Sequence, residues 1–256
     1  MNIINQFRMD GRTALITGSS RGIGRAIALA FAECGATVAL HATKPSAVVD
    51  DTLAEVRKLS PRSIAVFGEL SGREVAPRLV AEVIAALGGI DILVANASIN
   101  QRTAWAEVTQ AESEEVMQVN FHASLRLIQA AVPSMQAKKW GRILLVGSVQ
   151  QRRPHPAMIV YAASKSAQEN MARNLAKQLG PDGITVNNLS PGVIVTDRNT
   201  VALTDQAYAD SLRSAIPLRS FGQPEDCAGT ALLLCSDAGR YITGTDFTID
   251  GGLQLP

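Results

Sequence analysis

Cysteine and histidine are both scarce in this sequence. The three cysteines, Cys34, Cys227 and Cys235, form neither an even disulfide framework nor a metal-type Cys-x-x-Cys, and read as small apolar residues in helices. His41, His122 and His155 are too scattered to suggest a ligand set, so no catalytic metal is expected. No long cationic cluster occurs either: 24 basic residues against 23 acidic ones give a net charge of +1, which argues against nucleic acid as a partner. No apolar run reaches the roughly 18 residues that span a bilayer, and Met1 to Asp10 lack the apolar core of a signal peptide. A cytoplasmic protein without membrane attachment is the expectation. No linker interrupts the 256 residues, and a composition 46% apolar and 18% charged leaves no case for disorder. One domain over residues 1–256 is expected, with 193–220 as a substrate lid.

Short β-rich apolar runs alternate with longer helical stretches. The runs predict strands at Thr13–Thr17, Thr37–Ala42, Ser63–Phe67, Ile90–Ala95, Arg142–Gly147, Thr185–Leu189 and Asp246–Ile249. Helical patterns fall near Gly22–Cys34, Ser46–Leu59, Arg73–Leu87, Ser113–Gln136, Val160–Leu179 and Pro224–Cys235, with a further helix at Asp205–Ile216 in the lid. Runs such as Ile143 to Val146, apolar at every position, must be buried on both sides. The pattern is that of an α/β fold with a doubly wound parallel sheet of about seven strands, helices on both faces, of Rossmann type. Ligands in such sheets bind beyond the carboxyl ends of the strands.

The first strand ends in Thr17-Gly18-Ser19-Ser20-Arg21-Gly22-Ile23-Gly24 and runs straight into a helix. Glycines at such a turn let the backbone approach a pyrophosphate, and the helix start supplies unpaired N–H groups for its oxygens. The second strand ends in His41-Ala42-Thr43-Lys44, without the carboxylate that holds the ribose 2′-hydroxyl of NAD. Arg21, Thr43 and Lys44 could instead surround a 2′-phosphate, favouring NADP over NAD; the alternative for the two cations is plain surface charge. The fourth strand delivers Ala95-Asn96-Ala97-Ser98, small residues that let a cofactor lie close, with Asn96 fixing the turn. On the long helix that follows, Asn120 sits among apolar neighbours. It either holds a neighbouring carbonyl and a water or serves as a structural cap. The fifth strand ends at Gly147-Ser148, where a hydroxyl could donate to a substrate oxygen as charge develops. No His/Asp pair is arranged to make Ser148 a nucleophile. Tyr161 and Lys165, four apart on a helix, can look into one site, and a nearby cation lowers a phenol's ordinary pKa of about 10, as acid/base work on an alcohol or carbonyl requires.

Taken together, Thr-Gly-x-x-x-Gly-x-Gly at 17–24, Asn96-Ala97, Asn120, Ser148, Tyr161 with Lys165, Pro191-Gly192, Ile242-Thr243-Gly244 and Asp250-Gly251-Gly252 make the chain resemble the short-chain dehydrogenases/reductases from Thr13 to Gly252. The resemblance implies hydride transfer between a nicotinamide and a carbonyl or secondary alcohol carbon. It implies Tyr161 as acid/base, Ser148 orienting the substrate oxygen, Lys165 tuning Tyr161 and holding the nicotinamide ribose, and Asn120 supporting a proton-relay water. It further implies Pro191, Gly192 and Val193 beside the nicotinamide, Leu70 at the adenine through its backbone N–H, and a homotetramer. Two departures stand out: the family's Asn-Asn-Ala-Gly is Ala95-Asn96-Ala97-Ser98 here, and its Asp-Val or Asp-Leu is Glu69-Leu70.

The fold does not specify the substrate, so that reading rests on the loops at the strand ends. Asn100-Gln101-Arg102, Gln150-Gln151-Arg152-Arg153-Pro154-His155 and Arg198-Asn199-Thr200 are polar or cationic, where a long acyl chain would need an apolar wall. A small sugar, polyol or sugar acid is expected, contacted by Ser148, Gln150 and Tyr161, with Arg152 or Arg153 facing a carboxylate. A salt bridge or plain solvation is the alternative for the arginines. Tyr208 and Leu212 in the lid either touch substrate or pack. Two other functions compete: a 3-oxoacyl thioester reductase, and a sensor that binds NADP(H) without turnover.

Overall fold

The computed structural model describes residues 2–197, 199–200 and 204–255. These build one seven-stranded, all-parallel sheet in the order β3-β2-β1-β4-β5-β6-β7. The strands are β1 (Thr13–Ile16), β2 (Thr37–Ala42), β3 (Ile64–Phe67), β4 (Ile92–Ala95), β5 (Gly141–Val146), β6 (Ile184–Pro191) and β7 (Asp246–Ile249). The helices are α1 (Gly22–Glu33), α2 (Ala47–Leu59), α3 (Val75–Leu87), α4 (Gln110–Met117), α5 (Ala123–Lys138), α6 (Ile159–Leu179), α7 (Gln206–Ala215) and α8 (Pro224–Cys235). The chain winds outward from β1 in one direction, then returns to start β4 on its other side. That reversal opens a crevice at the carboxyl ends of β1 and β4.

Two hydrophobic layers explain why the inner strands are apolar at every position. In β5, Leu144 and Val146 face one layer, shared with Ile27 and Phe31 of α1 and Ala231 and Leu234 of α8. Ile143 and Leu145 face the other, shared with Leu79 and Val83 of α3, Leu127 and Ala131 of α5, and Met171 and Ala172 of α6. Successive side chains of a strand point to opposite faces, so a sheet covered twice needs apolar residues at odd and even positions alike. Cys227 and Cys235 belong to the first layer. Burial pushes both thiols up to about 12, which makes them inert packing groups.

The helix predicted as one piece over 113–136 is interrupted. Residues Gln118–His122 form a π-helical turn between α4 and α5. The wider turn brings Asn120 fully inside, where its amide reaches backbone outside the helix. Strand ends differ by one or two residues from the pattern, and β6 runs on to Pro191 because that residue still pairs with Ile249 of β7. The helix predicted over Asp205–Ile216 starts at Gln206, with the Asp205 carboxylate capping it by accepting from Tyr208 N–H at 3.1 Å. Within the segment 193–220 expected as a lid, residues 198 and 201–203 lie outside the described residues. Among the described residues, no helix is long and apolar enough to cross a membrane.

Candidate active site

A cleft of 560 Å³ runs along the carboxyl ends of the strands. At one end the β1–α1 turn contributes Gly18, Ser20, Arg21, Gly22, Ile23 and Gly24 to its wall. Gly18 sits at φ +61°, and a side chain there would meet Ala97 Cα at 3.0 Å, while a Cβ at Gly24 would collide with the Gly18 carbonyl. The turn is thereby pressed against the β4 exit. Asn96 holds the two together: its Nδ2 donates to the carbonyls of Thr17 and Gly18 at 2.8 and 2.9 Å. Thr17 Oγ1 accepts from the Asn96 and Ala97 N–H groups, each at 3.0 Å. Asn96 thus fixes a turn 79 residues away in sequence, a longer reach than the local bond expected of it.

His41 joins a third strand end to this cradle. Its Nδ1 accepts from Gly18 N–H at 3.1 Å and its Nε2 donates to the Gly68 carbonyl at 2.9 Å, a pattern that requires the neutral ring. Burial favours that form by pushing the His41 pKa down. The start of α1 carries no side-chain cap, which leaves helix N–H groups directed at the cleft. A cradle that side chains would fill, a helix start and small walls at Ala97 and Gly192 fit a dinucleotide pyrophosphate.

The remaining residues expected at the dinucleotide divide. Thr43, Leu70, Pro191, Gly192 and Val193 line the cleft with Asn96 and Ala97. Glu69 lines it too, exposed beside the buried Leu70. Arg21 reaches across the mouth to Asp197, Nη1 to Oδ2 at 3.0 Å, both side chains about two-thirds exposed. Lys44 is exposed and is not part of the cleft wall, so of the three residues expected around a 2′-phosphate only Arg21 and Thr43 face the cavity.

At the centre stand Ser148 and Tyr161, both nearly buried and both on the cleft wall. Ser148 Oγ accepts from Gln150 N–H at 3.2 Å, and Gln151 Oε1 accepts from Ser148 N–H at 3.4 Å, so a small capping box sets the hydroxyl. Accepting that bond leaves the Ser148 hydroxyl hydrogen to point at a ligand. Lys165 is 1% exposed and its ammonium lies 5.7 Å from the centre of the Tyr161 ring. Its Nζ donates to the Val146 carbonyl at 2.7 Å and to Gln168 Oε1 at 2.9 Å.

From there the hydrogen bonds close a ring. Gln168 Nε2 donates to Ser124 Oγ at 3.1 Å, and Ser124 Oγ to the Asn120 carbonyl at 2.8 Å. Asn120 Nδ2 donates to Ser164 Oγ at 3.0 Å, and Ser164 Oγ to the Tyr161 carbonyl at 2.7 Å. Asn120 also grips Ile99 at both its N–H and its carbonyl, so α6, the π turn and the β4 exit are locked to one another. Of the alternatives open for Asn120, the carbonyl-holding one is what the structure contains. Sequence reasoning passed over Gln168, although its spacing from Tyr161 and Lys165 (i, i+4, i+7) marks one helix face.

The substrate end is walled by Asn100 and Arg102 after β4, by Gln150, Arg153, Pro154, His155 and Met158 after β5, and by Tyr208 and Leu212 of α7. Arg152 does not belong there. Its guanidinium turns to the Asp246 and Glu169 carboxylates, at 2.9 and 3.2 Å, with Thr248 and Gln254 beyond. Asp246 is buried to 1% exposure and needs a counter-charge, which Arg152 supplies. Gln101 bonds Glu115 and is not on the wall, Asn199 is on the wall but donates to Ile194 O, and Arg198 lies outside the described residues. Among the described residues, no group of three or more His, Cys, Asp or Glu could hold a metal ion.

A family model described as enoyl-(acyl carrier protein) reductase matches residues 18–254. The L-rhamnose 1-dehydrogenase (NAD(P)(+)) of Sphingomonas sp. (strain SKA58) is 32% identical over 248 residues, 96% of this chain and 98% of that protein. The structure of a 3-oxoacyl (acyl-carrier-protein) reductase from Agrobacterium tumefaciens C58, with NADP bound, superposes at a TM-score of 0.93, with 34% identity over 98% of this chain and 97% of that one. A gluconate 5-dehydrogenase from Burkholderia cenocepacia J2315, in complex with NADP and tartrate, superposes at 0.91, with 30% identity over 99% of each chain.

Proposed function

The chain belongs to the short-chain dehydrogenase/reductase family, and from that premise we propose that it is an NADP-preferring oxidoreductase acting on the carbonyl or secondary alcohol of a small polar substrate such as a sugar, polyol or sugar acid. The observation that carries the reading is the convergence of the glycine cradle, Ser148 and Tyr161 in one cleft, with the buried Lys165 and its hydrogen-bond ring behind that wall. When bound, NADP(H) supplies or accepts the hydride at the reacting carbon. The chain's own work is then proton transfer and charge stabilisation. Tyr161 gives a proton to, or takes one from, the substrate oxygen, and the Ser148 hydroxyl donates to the same oxygen. Lys165, buried against Tyr161, supplies the positive charge that favours the phenolate during that exchange.

NADP is preferred to NAD because no carboxylate ends β2. Thr43 lines the cleft beside Arg21, which exchanges Asp197 for a 2′-phosphate. The pair it gives up is exposed and worth little, so the exchange favours the phosphate. Fluorescence titration with NADPH and NADH tests this: tighter NADPH binding supports it, and equal or tighter NADH binding overturns it. A 3-oxoacyl thioester reductase is the second reading, favoured by the NADP-bound relative of that activity. Acetoacetyl-CoA assayed beside hydroxy and keto acids separates the two. Turnover of any substrate in these assays would rule out the NADP(H)-binding sensor. Exposed Trp105 (77%), before α4, and Ile159 (55%), at the start of α6, offer an apolar surface for self-association, and light scattering on the purified protein tests the homotetramer that the family resemblance implies. The cytoplasm remains the expected compartment.

A further inference from the structure

Charge is distributed unevenly along the cleft. Its acidic wall residues, Glu69 and Asp197, both stand at the dinucleotide end. At the substrate end the described wall residues include Arg102, Arg153 and His155 and no carboxylate. Arg152, next in sequence to Arg153, is neutralised by Asp246 and Glu169. Arg102 and Arg153 have neither an ion-pair nor a side-chain hydrogen-bond partner among the described residues, and Arg153 is half-buried. Arg102 lies close enough to His155 to oppose a further positive charge there, so the two share one electrostatic neighbourhood. His155 Nδ1 accepts from Ala157 N–H at 3.1 Å, which leaves its other nitrogen as a donor.

Two neutral groups on the same wall lack the opposite kind of partner. The side-chain oxygens of Asn100 and Gln150 are shielded from solvent and receive no hydrogen bond among the described residues. Buried polar atoms are nearly always paired, and the donor missing here is one a ligand can bring. A neutral apolar carbonyl compound would leave both oxygens and both guanidiniums unanswered. A polyol would answer the oxygens but bring no counter-charge to the guanidiniums. An acid bearing hydroxyl groups answers all four, because its carboxylate matches the guanidinium fork and its hydroxyls are donors.

We propose that the substrate end of the cleft is an anion subsite, in which Arg102 and Arg153 receive the carboxylate of a polyhydroxylated acid while Asn100 and Gln150 accept from its hydroxyls. The assignment rests on the oxidoreductase reading above and narrows it: neutral sugars and polyols become poor ligands, and the arginine that matters is Arg153, not Arg152.

The test is calorimetric titration of the full-length protein, with and without NADP⁺, by D-gluconate and by sorbitol, its neutral counterpart of the same carbon number. Gluconate should bind at least about tenfold more tightly than sorbitol, and Arg102→Ala and Arg153→Ala should each weaken it by about tenfold or more, the scale of one lost hydrogen bond to a charged group. Arg153→Lys should recover part of the loss. Equal binding of the two ligands, no gluconate binding, or arginine variants that bind like the wild type would overturn the proposal. Inorganic phosphate and glucose 6-phosphate form a second arm, and tighter binding of these than of gluconate would overturn the carboxylate assignment. Oxidation of D-gluconate by NADP⁺ and reduction of 2,3-butanedione by NADPH are measured in parallel. Gluconate binding with neither reaction would leave the subsite standing and remove the oxidoreductase reading, whereas diketone turnover without gluconate selectivity would do the reverse.

Discussion

Replacing Gln168 by Leu should disable the enzyme without touching any group on the cleft wall. The Lys165 ammonium is 1% exposed, and Gln168 Oε1 is one of its acceptors, at 2.9 Å. Leucine keeps most of the volume but removes that acceptor, and a lost hydrogen bond to a charged buried group costs about 1.5–3 kcal/mol. At roughly 2–4 °C per kcal/mol for a chain of this size, the melting temperature should fall by about 3–12 °C. The ammonium would also lose one of the bonds that hold it beside Tyr161. If the same free energy is lost from the transition state, kcat should fall by about 10- to 150-fold. Gln168→Glu keeps an acceptor at the same place and should recover much of kcat, although it forfeits the bond to Ser124. Steady-state kinetics, thermal melts and NADPH titration on the three proteins separate chemistry from folding and from cofactor loss. A leucine variant with wild-type kcat and melting temperature would refute the reasoning. So would a kcat loss that glutamate leaves unrepaired, since the effect would then be packing and not the hydrogen bond.

Tyr161→Phe should abolish turnover while leaving the dissociation constant for NADPH within about twofold, because a phenol makes one bond among many to a dinucleotide; residual turnover would remove Tyr161 from the acid/base role. Arg152→Ala should lower stability by about 1.5–3 kcal/mol, the scale of a lost hydrogen bond to the buried Asp246 carboxylate, and leave substrate KM unchanged, and a raised KM with unchanged melting temperature would return Arg152 to the substrate. His41 and His155 both have pKa values pushed below the ordinary 6.5, each mainly by burial. The unfolded chain therefore takes up protons that the fold refuses, so stability is retained above pH 6.5 and declines as pH falls below it, by up to about 1.4 kcal/mol per pH unit for the buried His41 and by less for the more open, solvent-screened His155. Urea unfolding between pH 5 and pH 8 measures the slope, which should shrink in His41→Asn; a flat profile in the wild type would contradict the neutral His41 bridge.

Most of the architecture is legible along the chain, because its determinants are local. A twice-covered parallel strand must be apolar at consecutive positions, a crossover helix must carry a 3.6-residue stripe, and a turn that admits a pyrophosphate must be glycine-rich. Seven strands and the Tyr161/Lys165 pair can be found from such patterns within a residue or two. The π turn at Gln118–His122 could not, since a helix that admits one extra residue has no distinct local pattern and is selected by the bonds Asn120 makes to Ile99 and Ser164.

The functional divisions are of that second kind. Adjacent arginines have the same chemistry in sequence, yet Arg152 answers a buried carboxylate 94 positions away while Arg153 lines the cleft. His41 looks like one scattered histidine until β1, β2 and β3 lie side by side and their exits meet at its two ring nitrogens. Residue types and short spacings by themselves determined the fold class, the glycine cradle and the candidate reacting groups. Only the tertiary structure decided which charges are spent on the protein and which remain for a ligand, because pairing between buried charges depends on distance in space and not on separation along the chain.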